Sequence, residues 1–251
     1  MSRPSTMSRY FIRLLACAAC LTLLSCIDGH EEYWLEADGS GRAAIHYEVP
    51  AAFAASLGGT QGIEEILDRF IRETPTLTHA TRQVTRTGDR LTVELNASFN
   101  SVLDLIAAVS GDSALTAGAA GSALDPLIGK FDVRQQGLTV DFSRTVFPAK
   151  ALPGSSFMPA AQLDGRHLVY ILHLPVPAQE TNATHTEADG RTLIWDQPFK
   201  GGAVKQLPLR FKAKLPLPWR LIAGSAAGLA ALLGLAVLVF RRLRRPQPQR
   251  S

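Results

Sequence analysis

Each end of this chain carries a segment suited to a membrane, so the residues between them must fold as a separate body. Near the C-terminus, residues 221–240 form a run of 20 residues without a charge, and arginines follow at once. Because a helix rises about 1.5 Å per residue, about 20 apolar residues cross the hydrocarbon core of a bilayer. The sequence therefore predicts a transmembrane helix over 219–240 and a basic cytoplasmic tail over 241–251.

The N-terminal end shows the order of residues that is typical of a secretory signal. Arg3, Arg9 and Arg13 precede an apolar run at 14–24, which closes with a serine and Cys26. A basic start, an apolar run and a small-residue end before a cysteine indicate a lipobox. We therefore expect a lipoprotein signal peptide over 1–25 and acylation of Cys26, for example with palmitate. The alternative is that Cys26 is a buried free thiol after an uncleaved anchor.

The charge is divided between the tails and the middle of the chain. Between Cys26 and Trp219 there are 17 basic and 22 acidic residues, so this region has a net charge of −5 although the whole chain has +4. A nucleic-acid partner would need a basic folded domain, so none is expected. Positive flanks stay on the cytoplasmic side of a membrane. The domain over 26–218 is therefore predicted to be exported.

The two attachments also predict where the protein is located. A domain of about 190 residues has an expected radius of gyration of about 16 Å, which is too small to bridge two membranes easily. We expect both attachments to share a bacterial inner (plasma) membrane, with the domain on its periplasmic or extracellular side. Cys26 is the only cysteine outside the predicted signal, so the exported domain has no disulfide framework and depends on a hydrophobic core.

The central region shows the period-two alternation of half-buried strands, with two interruptions of helical period. We expect an α+β fold, in which a strand-rich antiparallel domain carries a few amphipathic helices and is followed by the C-terminal transmembrane helix. Segment 110–124 is rich in Gly, Ala and Ser, and is expected to be a loop that acts either as a lid or as a tolerated insertion. The predicted elements are a hairpin of 31–37 with 43–49, hairpins centred on 87–89 and 136–137, strands at 168–174, 191–195 and 207–215, and helices at 63–71 and 102–109.

Motifs that carry chemistry are matched only in letters. Residues 39–44 fit the Gly-x-Gly-x-x-Ala dinucleotide fingerprint, but an alternating strand follows where a helix N-terminus is needed, so we expect a hairpin turn. His167 and His173 share a strand face about 20 Å apart and cannot bind one ion. His30 with Glu31 and Glu32 is at most a weak metal site. The predictions are no enzymatic activity, no cofactor and no metal.

The last predicted strand, 207–215, carries the only basic row of the acidic domain. Its apolar residues face one way and its cations face the other. Because Pro208 cannot donate a ladder hydrogen bond, we expect an edge strand. In one interpretation the cations protect that edge from pairing with other chains. In the other they contact anionic lipid headgroups together with residues at the membrane boundary. The candidate headgroup contacts are Arg210, Lys212, Lys214, Trp219 and Arg220.

Two groups of short motifs, one towards each end of the chain, match a known pattern. Cys26 is followed by Tyr-Trp-Leu at 33–35 and the Asp-Gly-Ser-Gly turn at 38–41, and late in the chain come Asn-Ala-Thr at 182–184, the segment 189–195 and the membrane helix. Together these motifs resemble the LppM-domain family of bacterial membrane lipoproteins. The resemblance implies an exported α+β domain similar to lipid-binding folds, with a ligand-binding role at the cell envelope.

These features predict a non-catalytic, membrane-anchored lipoprotein whose exported domain binds lipid or another envelope component. A second possibility is a scaffold or assembly partner that docks envelope proteins through an exposed edge strand or the membrane helix. An exported hydrolase is a distant third, because its base and nucleophile would have to come from scattered positions. The expected partners are therefore the membrane itself and a lipid or an envelope protein.

Overall fold

The computed structural model describes residues 28–110, 126–151, 165–199 and 206–214. The strands are β1 Asp28–Leu35, β2 Gly41–Pro50, β3 Leu77–Thr87, β4 Arg90–Phe99, β5 Lys130–Gln136, β6 Thr139–Val146, β7 His167–His173, β8 Ala178–Thr181, β9 His185–Glu187, β10 Thr192–Pro198 and β11 Leu207–Lys214. The helices are α1 Ala51–Ser56, α2 Gly59–Glu73, α3 Val102–Ser110 and α4 Pro148–Ala151. The prediction of a strand-rich α+β domain is confirmed.

Several predicted features lie outside the described residues and stay predictions. Within the described ranges, no helix has the length and apolar character needed to cross a bilayer. The chain divides into two units, Met1–Leu215 and Pro216–Ser251, and the second is outside the described part of the chain. The features concerned are the signal peptide over 1–25, Cys26, the loop 110–124 beyond Ser110, Trp219, Arg220, the helix over 219–240 and the tail over 241–251.

Seven strands form the larger sheet, in the order β3-β4-β2-β1-β7-β10-β9. The hairpin of β1 with β2 and that of β3 with β4 turn where the sequence predicted. Gly39 in the first turn has a φ of 86°, a conformation that glycine adopts without strain. Residues 39–44 therefore form a hairpin turn followed by a strand, as expected.

One pairing in this sheet corrects the prediction of an antiparallel domain. β1 pairs with β7 in parallel, with His30 opposite Val169 and Trp34 opposite His173. Parallel strands need a long crossover connection, and here the intervening chain holds the other half of the larger sheet and the β5–β6 hairpin. Alternation along one strand reports which face is buried, but it does not report the direction of the neighbouring strand.

Helices α1 and α2 pack on the inner face of the larger sheet, at its β2, β4 and β3 end. In α2, Ile63 and Leu67 are buried, which confirms the apolar stripe predicted over 63–71. The sequence analysis missed α1, because six residues are too few to show a helical period. Gly58 separates the two helices with a φ of 88°, in the left-handed region that favours glycine.

Four strands form the smaller sheet, in the order β5-β6-β11-β8. All of its pairings are antiparallel, and the predicted hairpin at 136–137 joins β5 to β6. β11 lies between β6 and β8, so the prediction that 207–215 forms an edge strand is wrong. The protective role proposed for its cations, which depended on an exposed edge, is wrong with it.

The two sheets share one hydrophobic core. The alternation predicted for β11 is confirmed, since its odd-numbered residues are buried and its even-numbered residues are more exposed. The buried residues of β11 join those of β7 and β10, so the smaller sheet covers the inner face of the larger sheet beyond the helices. This group consists of Leu168, Tyr170, Leu193, Trp195, Leu207, Leu209, Phe211 and Ala213.

Candidate functional site

The outer face of the smaller sheet, opposite the core, carries an open cleft of about 460 Å³. Its floor is formed by side chains of β5, β6, β11 and β8, and most of them are charged or hydroxylic. Two of the cations predicted from the sequence, Arg210 and Lys212, take part. The lining residues are Asp132, Arg134, Asp141, Ser143, Glu180, Thr181, Asn182, Arg210, Phe211 and Lys212.

The strand register arranges these side chains in two rows across the sheet. In one row Asp132, Ser143 and Arg210 lie on adjacent strands. In the other row Asp141 lies between Arg134 on β5 and Lys212 on β11, and Glu180 of β8 follows Lys212. Neighbouring strands are about 4.8 Å apart, so charges of alternating sign are spaced at that interval along the second row.

Some charges in the cleft are paired within the protein and others are not. Arg134 forms an ion pair with Asp132, with Nη2 of the arginine 2.8 Å from Oδ2 of the aspartate. Lys212 pairs with Glu180, with Nζ of the lysine 3.5 Å from Oε1 of the glutamate. The guanidinium of Arg210 and the carboxylate of Asp141 have no ion-pair partner among the described residues, and both residues are exposed. The cleft therefore presents, on neighbouring strands, one cation without an ion-pair partner and one carboxylate whose two flanking cations, Arg134 and Lys212, pair with other residues.

The side chain of Asn182, the residue after β8, forms hydrogen bonds with the backbone of β11. Its Nδ2 donates to the carbonyl of Pro208 at 2.8 Å, and its Oδ1 accepts from the backbone N of Arg210 at 2.7 Å. Backbone groups two residues apart point to the same side of a strand, so the N–H that Pro208 lacks would also have faced this side. Because β8 stops at Thr181, no ladder bond is lost there, and a proline is tolerated in an internal strand.

Beneath the cleft, a buried ion pair joins the two sheets. Arg144 on β6 and Glu31 on β1 are 7% and 3% exposed, and Nη1 of the arginine lies 2.7 Å from Oε2 of the glutamate. Arg144 also donates to the carbonyls of Leu127 and Ile128, both at 2.9 Å. The pair is fully hydrogen-bonded, as a buried charge has to be, and it fixes the smaller sheet against β1.

Three tyrosines surround this ion pair. The hydroxyls of Tyr33 and Tyr47 donate to the carboxylate of Glu31 at 2.7 and 2.5 Å. Burial, and then the negative charge of Glu31, raise the pKa of Tyr33, Tyr47 and Tyr170 above the ordinary value for a phenol. Burial lowers the pKa of Arg144, but the opposing charge of Glu31 leaves that pKa raised overall. The cluster therefore holds one positive and one negative charge and three neutral phenols.

The outer face of the larger sheet carries the histidines considered above. Nε2 of His173 lies 2.7 Å from Oε1 of Glu32. The imidazole ring of His173 stacks on the indole of Trp34, with 5.2 Å between the ring centroids. His30 is 3.7 Å from Glu32, whereas Glu31 points into the core, so those three residues do not form a metal site. Within the described residues, no group of three or more His, Cys, Asp or Glu is arranged to hold a metal ion.

The structure brings together only part of the predicted site. Arg210, Lys212 and Lys214 project from one face of β11, as the alternation predicted. Trp219, Arg220 and the lipidation site Cys26 lie outside the described residues. The sequence analysis missed the part of the cleft that comes from β5 and β6, including Asp141 and Ser143. Alternation in that hairpin places these residues on one face, but only the tertiary structure shows that β11 lies beside β6.

Comparisons with known proteins add one similarity of structure. No family model matches the chain, and no curated protein matches its sequence. Among solved structures, the folded domain of the LppM protein from Mycobacterium tuberculosis, determined by NMR, aligns with a TM-score of 0.46 and 9% sequence identity. The alignment covers 76% of this chain and 91% of that domain. Membership of the LppM-domain family stays a prediction.

Proposed function

We propose that this protein is a non-catalytic lipoprotein of the cell envelope whose exported domain binds phospholipid headgroups through the outer face of the smaller sheet. The observation that carries the proposal is the row of Arg210, Lys212 and Lys214 on that face of β11. The row belongs to the last strand before the predicted membrane helix, and only residues 215–218 separate the two. A connection of four residues can span at most about 14 Å, so the proposal links β11 closely to the predicted helix.

The energetics of such a contact are modest for each residue and additive over the row. A Lys or Arg near an anionic membrane surface contributes about 1 kcal/mol, and the effect decays within a Debye length. Three cations would therefore give a weak contact in free solution. The predicted acyl chain at Cys26 and the membrane helix would keep the domain at the surface, so a weak contact is sufficient to orient it.

The test uses the domain over 27–218, without either attachment, and vesicles that contain anionic lipid. Replacing Arg210, Lys212 and Lys214 with Glu is expected to abolish salt-sensitive binding in a flotation assay. Each variant is first shown to unfold cooperatively in urea, so that loss of binding is not loss of fold. The matched control replaces Arg69, Arg72 and Arg86, which are exposed on α2 and β3, with Glu and changes the net charge equally.

The control variant distinguishes vesicle binding through one face of the domain from an effect of the domain's net charge. If both triple variants lose binding to the same extent, the contact is not made by β11 and the proposal fails. If neither variant loses binding, the smaller sheet does not face the membrane. If the control variant still binds vesicles and the β11 variant does not, the proposal is supported.

The alternative of a scaffold for envelope proteins now depends on a different strand. With β11 internal, the longest strand at a sheet edge among the described strands is β3, which has 11 residues and a register shift between Thr78 and Thr81. Such an edge offers unpaired backbone groups to an added strand. A photo-crosslinking residue at Thr85 should then capture one defined envelope protein in cells. Capture of lipid or of no protein would argue against a scaffold role.

A further inference from the structure

The two charges in the cleft that have no ion-pair partner among the described residues are of opposite sign. This arrangement fits a ligand that carries both a negative and a positive group better than a ligand that is only anionic. Arg210 and Asp141 lie on the adjacent strands β11 and β6, and neither has an ion-pair partner among the described residues. The two cations that flank Asp141 in the strand register, Arg134 and Lys212, pair instead with Asp132 and Glu180. A ligand with two negative groups would meet the carboxylate of Asp141 as well as the guanidinium of Arg210.

From this arrangement we infer that the cleft selects a zwitterionic lipid headgroup that carries one phosphate and one primary ammonium, the phosphoethanolamine class. This inference rests on the proposed function, and it names the ligand of the same face. The phosphate would bind the guanidinium of Arg210, which offers paired N–H donors to its oxygens. The ammonium would bind the carboxylate of Asp141, which is an acceptor only when ionised.

The spacing of the strands fits a short two-charge ligand. Arg210 lies opposite Ser143, and Asp141 is two residues before Ser143 on the same strand. The two free charges are therefore diagonal neighbours about 7 to 8 Å apart at the backbone, and their side chains can converge over Ser143. A two-carbon linker between phosphate and ammonium spans about one strand spacing of 4.8 Å.

The chemistry of the two groups predicts how related headgroups are ranked. A glycerol headgroup carries the same phosphate without a cation, so it leaves the carboxylate of Asp141 unpaired beside a negative ligand. A choline headgroup has a positive charge but no N–H donor for that carboxylate. Because Asp141 is exposed, solvent screens an ion pair made with it, so loss of the ammonium contact should weaken binding by about two- to fivefold.

The test uses the full chain in a neutral detergent and three lipids with identical dihexanoyl chains and different headgroups. Dihexanoyl phosphatidylethanolamine, phosphatidylglycerol and phosphatidylcholine are each titrated, and binding is followed by native mass spectrometry. We expect the ethanolamine lipid to bind about two- to fivefold more tightly than the other two. Glycerophosphoethanolamine without acyl chains forms a further arm, and it should bind more weakly than the lipid if the natural source of the headgroup is the bilayer.

Single substitutions test whether Arg210 and Asp141 cause the preference for the ethanolamine headgroup. Asp141→Asn should remove the preference for ethanolamine and leave or improve binding of the glycerol lipid, whereas Arg210→Gln should weaken all three lipids. Lys130→Gln, on the same sheet face outside the cleft, and Glu73→Gln, exposed on α2, are the matched controls, and both should keep the preference.

Two results would overturn the inference, and they differ from failure of the proposed function. Equal binding of the glycerol and ethanolamine lipids by the unaltered chain would show that only the phosphate is recognised. Equal strengthening of all three lipids by Asp141→Asn would show that this residue merely repels phosphate. In either case vesicle binding through β11 would stand, whereas insensitivity of vesicle binding to reversal of the β11 cations would contradict the proposed function itself.

Discussion

At the scale of single residues, the feature with the largest consequence is the ion pair between Glu31 and Arg144. The two residues are 113 positions apart in the sequence and meet between the two sheets. Taking two charges out of water is unfavourable unless every polar atom finds a partner, and here two tyrosine hydroxyls and two backbone carbonyls complete the set. We therefore expect the pair to influence how the smaller sheet docks more than it adds to net stability.

Removing one member of this pair should be far more harmful than removing both. Arg144→Met leaves the carboxylate of Glu31 buried without its partner, and we expect a loss of about 3 to 5 kcal/mol in the free energy of unfolding. The double variant with Glu31→Gln and Arg144→Met should recover a substantial part of that loss. Urea unfolding of the domain followed by tryptophan fluorescence measures both. Additive losses would show that the two residues are not energetically coupled.

The tyrosine cluster predicts how stability depends on pH. The chain has four tyrosines, and the three outside the predicted signal peptide are Tyr33, Tyr47 and Tyr170. Because the pKa of each is raised in the folded state, these phenols do not change the free energy of unfolding below about pH 10, and they lower it as the pH rises above the ordinary phenol value. The loss should approach about 1.4 kcal/mol per pH unit for each phenol.

An ultraviolet titration at alkaline pH checks this expectation. Phenolate absorbance should stay low through the range in which free tyrosine ionises, and should then rise in one step together with loss of circular dichroism. Tyr47→Phe should reduce the dependence of stability on pH. A gradual rise in absorbance near pH 10, with the fold intact, would contradict burial of the cluster.

At the scale of secondary structure, position in the tertiary fold decides what an apolar residue contributes. Helix α2 buries Ile63 and Leu67 against the larger sheet, whereas Leu103 of α3 is 56% exposed. Both helices show an apolar pattern in the sequence, so periodicity alone predicts that both pack against the domain. The different exposure of their leucines makes the comparison testable.

Leu67→Ala should lower the free energy of unfolding by about 2 to 4 kcal/mol, because it removes a buried side chain and leaves a cavity. Leu103→Ala is the matched control and should change stability by no more than about 0.5 kcal/mol. Thermal or urea unfolding of the two variants gives the comparison. Equal effects would mean that Leu103 is buried in the native protein.

Strand β11 shows how an element can be predicted correctly and placed wrongly. Its bounds, its alternation and the face that carries its cations followed from the sequence. Its place inside the smaller sheet did not, because Pro208 lies where β8 has already ended and its missing N–H costs no ladder bond. The carbonyl of Pro208 accepts a hydrogen bond from Asn182, 26 positions away, and no local pattern reveals such a contact.

At the scale of the whole molecule, the two predicted attachments can be tested independently. Cys26→Ser should prevent incorporation of labelled palmitate, while the chain stays in the membrane fraction through the helix over 219–240. Removal of 219–251 should leave an acylated protein that is still bound to the membrane. Only the combination of both changes should release the domain, since either attachment alone is sufficient to hold it.

Fractionation of the native host, together with protease added to spheroplasts, provides the measurement. The exported domain should be digested and the arginine tail over 241–251 protected. Release of the Cys26→Ser protein alone would show that the C-terminal segment does not span the bilayer. Digestion of the tail from outside would reverse the predicted topology.

The local pattern of the chain determined much of this protein without any tertiary information. Hydrophobic periodicity located most of its strands and the two longer helices, because periodicity is a property of contiguous residues. Run length and flanking charge are local properties as well, and the two membrane attachments that they indicate stay predictions. Only the tertiary structure decided that β1 and β7 are parallel, that β11 is internal, and that Asp141 lies beside Lys212 in one cleft. Such contacts join residues that are far apart in the sequence, and they form because two sheets must bury one shared core.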